Sequence, residues 1–127
     1  MMRTFVIAAV DDDLRLLEAL QDLLESAGYS VRSFGSAKSF LDDKAALSES
    51  DCLIADVGMP VIDGFQLGEL VRQVRPRIPV ILITARHETE DQRRAVALGS
   101  RFFQKPVDSQ ALLAAIGEAL QNEDGGE

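Results

Sequence analysis

Unbroken apolar runs alternate along this chain with segments whose apolar positions recur every three or four residues. Phe5-Val6-Ile7-Ala8-Ala9-Val10, Cys52-Leu53-Ile54-Ala55 and residues 80 to 83 are continuously apolar, as strands buried on both faces of a sheet are. Tyr29-Ser30-Val31-Arg32-Ser33-Phe34 instead alternates apolar with polar, and Arg101-Phe102-Phe103-Gln104 is short and mixed. Both suit edge positions. The first three runs therefore predict the middle of a sheet and the last two its borders.

Helical spacing fills the intervals. Leu16, Leu17, Leu20, Leu23, Leu24 and Ala27 follow a capping Asp13 and stop at Gly28. Ser36 can cap a second helix containing Phe40 and Leu41. Leu67, Leu70, Val71 and Val74 mark a third, which must end before Pro76. Asp108 caps the last, with Leu112, Leu113, Ile116 and Leu120. Between them, residues 88 to 98 offer mainly Val96, Leu98 and small alanines among Glu88, Glu90, Asp91, Gln92, Arg93 and Arg94. That helix is either weakly held, as moving parts often are, or an ordinary solvated one.

Five strand–helix pairs in strict alternation predict an α/β fold with a parallel sheet covered on both faces. The specific expectation is a flavodoxin-like three-layer sandwich with five strands in order 2-1-3-4-5 and five helices. A length of 127 residues fits one domain. No internal repeat is evident. Residues 123 to 127 contain nothing apolar to bury and read as a disordered tail or the start of a linker, so the folded unit is placed at 4 to 122.

Composition narrows the function classes. Apolar residues make up 46% and charged residues 27% of the chain, the balance of a globular domain. The apolar runs are too short to span a bilayer, and Met1-Met2-Arg3-Thr4 does not lead into a signal-peptide pattern, so a cytoplasmic location is expected. The single cysteine, Cys52, sits inside an apolar run and reads as a small buried hydrophobe rather than a redox sensor. A net charge of -8 opposes direct attraction to nucleic acid or anionic membranes. Most of the 21 acidic residues are accounted for as solvated surface.

The acidic residues at strand ends are different. In a 2-1-3-4-5 sheet the first and third strands are neighbours, so Asp11, Asp12 and Asp56 crowd together. Two unit charges about 5 Å apart at an effective dielectric near 20 repel by roughly 3 kcal/mol, and three mutual pairs by on the order of 10 kcal/mol. Such a cluster calls for a cation or for protonation. An all-oxygen ligand set without His or Cys selects a hard ion, for which Mg2+ is expected. Lys105 brings a second positive charge to the same strand ends, and Thr84 a hydroxyl able to donate to an incoming oxygen. With no Ser-His or Cys-His arrangement evident, a carboxylate nucleophile remains, and Asp56, alone at the end of the central strand, is the best candidate for forming an acyl phosphate.

Val10-Asp11-Asp12, then Asp56-Val57-Gly58-Met59-Pro60 with Asp63-Gly64, then Thr84-Ala85, then Lys105-Pro106 resemble, in order and approximate spacing, the receiver domain of bacterial two-component response regulators. The resemblance covers residues 4 to 121. It implies that Asp56 is the phosphoacceptor, that Asp12 and Asp56 bind magnesium directly and Asp11 through water, and that the Gly58 carbonyl completes the protein ligands. It further implies that Thr84 hydrogen-bonds the phosphoryl group, that Lys105 pairs with it, that Lys105-Pro106 is cis, and that Phe102 is an aromatic switch. Phe102 also reads as a plain edge-strand core aromatic, with Phe103 as its core partner. Gly58 and Arg86 stand where relatives often carry other side chains, and they bear on phosphoryl lifetime. His87, the only histidine, reads as a solvated loop residue in preference to a proton relay.

The resemblance also implies the partners: a sensor histidine kinase or phosphotransfer protein as donor, or a small acyl phosphate, and homodimerisation on phosphorylation as one output. The chain would be a signalling switch that catalyses only its own phosphotransfer and autodephosphorylation. Its readout surface would be the helix at 88 to 98, the fifth strand and the last helix. Ser36-Ala37-Lys38-Ser39-Phe40-Leu41 resembles receivers that precede helix-turn-helix output domains, which makes transcription one output to test. The competing readings are a phosphorylation-independent protein-binding receiver, a magnesium-dependent phosphohydrolase, which would need a substrate cap, and a nucleotide-binding flavodoxin relative. The last conflicts with Asp11-Asp12 standing where a phosphate-cradling Gly or Ser loop is required.

Overall fold

A computed structural model describes residues 3 to 125, with side chains to Gln121. Five strands form one parallel sheet: β1 (Val6–Val10), β2 (Ser30–Phe34), β3 (Cys52–Asp56), β4 (Val80–Thr84) and β5 (Arg101–Gln104), in the order β2-β1-β3-β4-β5. The continuously apolar runs are the three inner strands, and every residue of β3 and β4 is buried. The alternating and mixed segments are the edges.

Alternate residues of the inner strands feed two separate cores. Ala8, Val10, Leu53, Ala55 and Leu82 pack with Phe40, Phe65, Leu67 and Val71 on one face. Ile7, Ile54, Ile81 and Ile83 pack with Leu20, Leu24, Leu112 and Ile116 on the other. Helices α1 (Leu14–Ser26) and α6 (Ser109–Gly125) cover this second face. The thiol of Cys52 is fully buried there, and burial pushes its pKa up to about 12. Of the segment read as a tail, residues 123 to 125 continue α6, and residues 126 and 127 lie outside the described residues.

Among the described residues there are six helices rather than five. The segment after Ser36 divides into α2 (Ala37–Asp42) and α3 (Lys44–Glu49), because Asp43 takes an extended conformation and ends one helix while its carboxylate caps the next at Ala46 N–H, 2.9 Å away. Helix α4 (Gly64–Val74) begins with a capping box made by Asp63 and Gln66. Its buried stripe is Phe65, Leu67, Gly68 and Val71. Leu70 and Val74, which the spacing grouped with Leu67 and Val71, turn outward.

Helix α5 (Thr89–Ala97) is the segment with the thin apolar stripe. Only Asp91 and Ala95 are buried in it, and Val96, expected as an anchor, is 71% exposed. Its C-terminal part is held by cationic groups instead: Arg72 of α4 donates to the carbonyls of Leu98 and Gly99, and the Arg94 guanidinium lies 4.1 Å from the centroid of the Phe65 ring.

Candidate functional site at the strand ends

Strand register assembles the site. Val10 of β1 pairs with Ala55 of β3, so the next residues, Asp11 and Asp56, emerge side by side. Thr84 pairs with Gln104, and the Lys105 N–H donates to the Thr84 carbonyl at 2.8 Å, which fixes where the lysine leaves β5. The four polar strand ends thus share one sheet edge, at the carboxyl ends of the strands where the chain order reverses.

Asp11, Asp12 and Asp56 each bring a carboxylate oxygen within 4.8 Å of the others, a group able to hold a metal ion. Asp11 and Asp56 are buried, and Asp12 is exposed. Asp11 Oδ1 accepts the Asp13 N–H at 2.8 Å. Asp11 Oδ2 is buried and paired with the Lys105 Nζ at 3.1 Å. Lys105 Nζ also lies 3.2 Å from Asp56 Oδ1.

Burial holds the Asp11 carboxyl above its ordinary value of 3.8, the Asp56 charge adds to this, and the Asp13 N–H and Lys105 only partly offset it. Burial pulls the Lys105 ammonium down, but contact with Asp11 and the charges of Asp11 and Asp56 outweigh it, so Lys105 ends above its ordinary 10.5. One lysine against three clustered carboxylates, two of them buried, leaves a net negative pocket. That is the setting in which a hard divalent cation gains most, so the residues present fit Mg2+.

Thr84 is buried, and its Oγ1 accepts the Arg86 N–H at 3.0 Å. Gly58 lies beside Asp56, where an added Cβ would come 3.7 Å from its Oδ2. The Lys105-Pro106 bond is cis. Phe102 and Phe103 are both half-buried and serve opposite cores, Phe102 the α4 and α5 side and Phe103 the α1 and α6 side. His87 is exposed in the loop after β4.

Three features of the site escaped the sequence reading. Gly64 packs against the Asp56 backbone so closely that a Cβ would fall 2.5 Å from its carbonyl oxygen. Asp63-Gly64 entered the resemblance to receiver domains without signalling this approach. Val61 has a φ of 70° and is 98% exposed, and nothing in a β-branched residue signals a left-handed backbone. Arg86 grips Asp91 with two hydrogen bonds, at 3.0 and 2.8 Å, at the start of a helix that the sequence left as either weakly held or solvated.

The match to known proteins follows the same residues. The model of the response regulator receiver domain matches residues 7–117. The chain is 38% identical over 120 residues to the response regulator protein TodT of Pseudomonas putida, covering 94% of this chain and 52% of that protein. It is 33% identical over 116 residues to the transcriptional regulatory protein FixJ of Bradyrhizobium diazoefficiens, covering 91% of this chain and 56% of that one. It thus spans about half the length of these curated relatives. Its fold matches the BeF3-activated receiver domain of DrrB with a TM-score of 0.84 at 28% identity, over 94% of this chain and 99% of that one. Among the described residues no helix is long and apolar enough to cross a membrane. With the sheet order, the carboxylate cluster and the family match in agreement, the chain belongs to the response regulator receiver domain family of two-component systems.

Proposed function

We propose that this domain accepts a phosphoryl group on Asp56 in a magnesium-dependent step and relays that event to the surface formed by α5, β5 and α6. The observation that carries the proposal is the Lys105 ammonium held between two buried carboxylates, Asp11 and Asp56, that cluster with the exposed Asp12. A pocket that crowds carboxylates and still spends a lysine on them is suited to charge that arrives from outside.

Asp11, Asp12, Asp56 and the Gly58 carbonyl would hold the ion. Mg2+ there would supply charge neutralisation for the transferring oxygens. An Asp56 oxygen attacks phosphorus, the bond from phosphorus to the donor's imidazole nitrogen or acyl oxygen breaks, and the leaving group takes the electron pair. The Lys105 ammonium pairs with a phosphoryl oxygen, and the Thr84 hydroxyl donates to another. Hydrolysis of the same acyl phosphate by water resets the domain.

The donor is a sensor histidine kinase or phosphotransfer protein. An apolar groove of about 270 Å³ between α1 and α6, lined by Leu16, Leu20, Leu23, Val107 and Leu112, opens beside Lys105 and supports docking of a donor helix there. TodT and FixJ are about twice as long as the matched segment, and FixJ is named a transcriptional regulatory protein, which supports a transcriptional output. The loops after β1 and β3 carry no cap of the kind a phosphohydrolase acting on free substrates needs.

The test is incorporation of labelled phosphoryl from acetyl phosphate, with and without Mg2+, into the wild type and Asp56→Asn. Acid-labile, base-labile labelling of the wild type that needs Mg2+ and vanishes in Asp56→Asn is the expected result. Undiminished labelling of the variant would sink the assignment.

A further inference from the structure

Arg86 is bound at three points. Its backbone N–H donates to Thr84 Oγ1 at 3.0 Å, its carbonyl accepts from Gln104 Nε2 at 3.3 Å, and its guanidinium holds Asp91 of α5 through Nε at 3.0 Å and a terminal nitrogen at 2.8 Å. The Asp91 side chain is only 4% exposed, and a carboxylate that deep is costly without a partner. Asp91 and Ala95 are the only buried residues of α5, so this ion pair is the main attachment of its N-terminal half.

We infer that Arg86 is a positioning residue that ties Thr84 to α5, so that the helix follows the threonine hydroxyl. The inference rests on the phosphoryl-acceptor reading above for the event that moves Thr84. When the hydroxyl turns to donate to a phosphoryl oxygen, the Arg86 N–H bonded to its oxygen is displaced with it. The guanidinium is planar and grips both carboxylate oxygens, so it transmits direction as well as charge, and the first turn of α5 is drawn along through Asp91. A helix anchored by apolar packing would resist such a pull. This one has almost none, and its other ties, Arg72 on the carbonyls of Leu98 and Gly99 and Arg94 over Phe65, lie toward its far end and leave the near end free to pivot.

The experiment compares amide shifts and amide hydrogen exchange in the wild type, Arg86→Gln, Asp91→Asn and Arg86→Lys, with Mg2+ and beryllofluoride as the phosphoryl mimic. In the wild type, Thr84 and residues 89 to 97 should shift together. In Arg86→Gln and Asp91→Asn, Thr84 should still shift, while the α5 shifts fall to about half or less. Exchange in α5 should quicken by roughly tenfold before the mimic is added, with the inner strands unchanged. Arg86→Lys keeps the charge without the fork, so it should restore slow exchange more than it restores the shifts in α5, a split that a merely structural role would not produce.

Undiminished α5 shifts in both neutral variants would overturn the inference. So would a wild type in which Thr84 responds and α5 does not, and that result would leave the phosphoryl reading intact. A wild type in which Thr84 itself is silent would remove both. Asp91→Asn preserves side-chain shape, so the comparison stands on it if Arg86→Gln fails to fold.

Discussion

Lys105 reaches Asp56 across an intervening strand, with Nζ 3.2 Å from Oδ1, although β4 separates the strands that carry the two residues. The same ammonium serves Asp11 at 3.1 Å, so one cation offsets two buried carboxylates. Lys105→Ala should therefore destabilise the metal-free domain by about 1–3 kcal/mol at neutral pH, since it leaves both carboxylates without their counter-charge. The gap between variant and wild type should narrow in acid, where Asp11 takes up a proton and the repulsion disappears. It should also narrow in strong alkali: the stability Lys105 gains from its partners is complete below its ordinary 10.5 and is lost as pH rises through its raised folded value. Urea unfolding across pH reads both limbs, and a gap independent of pH would argue that the lysine acts through packing alone.

Magnesium should stabilise the domain, and more so at neutral pH than in acid. Asp11 binds its proton more tightly folded than unfolded, so metal-free stability falls as pH rises from its ordinary 3.8 through its raised folded value. Above that window the folded state carries an ionised, under-neutralised cluster, and a divalent ion relieves it. At a free concentration of about ten times Kd the gain is about 1.4 kcal/mol, or roughly 5 °C in Tm for a domain of this size. Asp12→Ala should lose most of that rise while keeping its fold, because Asp12 is exposed and packs against nothing in the core. An equal Mg2+-induced rise in Asp12→Ala, followed by thermal melting, would remove Asp12 from the ligand set.

Much of this arrangement was legible in the sequence, and each feature that was not has its own physical reason. The inner strands declared themselves by unbroken apolar runs, and Asp13, Ser36 and Asp108 cap the helices they were read to cap, because both signals are local. The grouping of Asp11, Asp12 and Asp56 needed only the strand order and the rule that parallel strands deliver their ends to one edge. The break at Asp43 was hidden because one aspartate can end a helix and start another without leaving the helical composition of its neighbours. The Arg86–Asp91 pair was hidden because charges spaced across a loop look solvated until the backbone folds them together. Leu70 and Val74 misled because their spacing is helical, but burial goes to the stripe through Gly68, which lies against Val80.

The loop between Asp56 and α4 makes two opposite demands on its backbone, and substitutions should separate them. Gly64 cannot carry a Cβ without meeting the Asp56 carbonyl oxygen at 2.5 Å and its carbon at 2.9 Å, both main-chain atoms that cannot swing aside. Gly64→Ala should cost about 1–3 kcal/mol through overpacking. It should also weaken Mg2+ binding, because the shift it forces falls on Asp56, one of the three clustered carboxylates. Val61 is the reverse case, a β-branched residue held at a φ of 70° with its side chain 98% exposed, so the strain brings no compensating burial. Relief of about 1–2 kcal/mol of left-handed strain exceeds the roughly 0.5–1 kcal/mol that glycine loses in chain entropy, so Val61→Gly should be neutral to modestly stabilising. Chemical denaturation and Mg2+ titration of both variants check the pair. If Gly64→Ala is as stable as the wild type, or if Val61→Gly is the more damaging of the two, the loop does not hold Asp56 in the way its backbone contacts indicate.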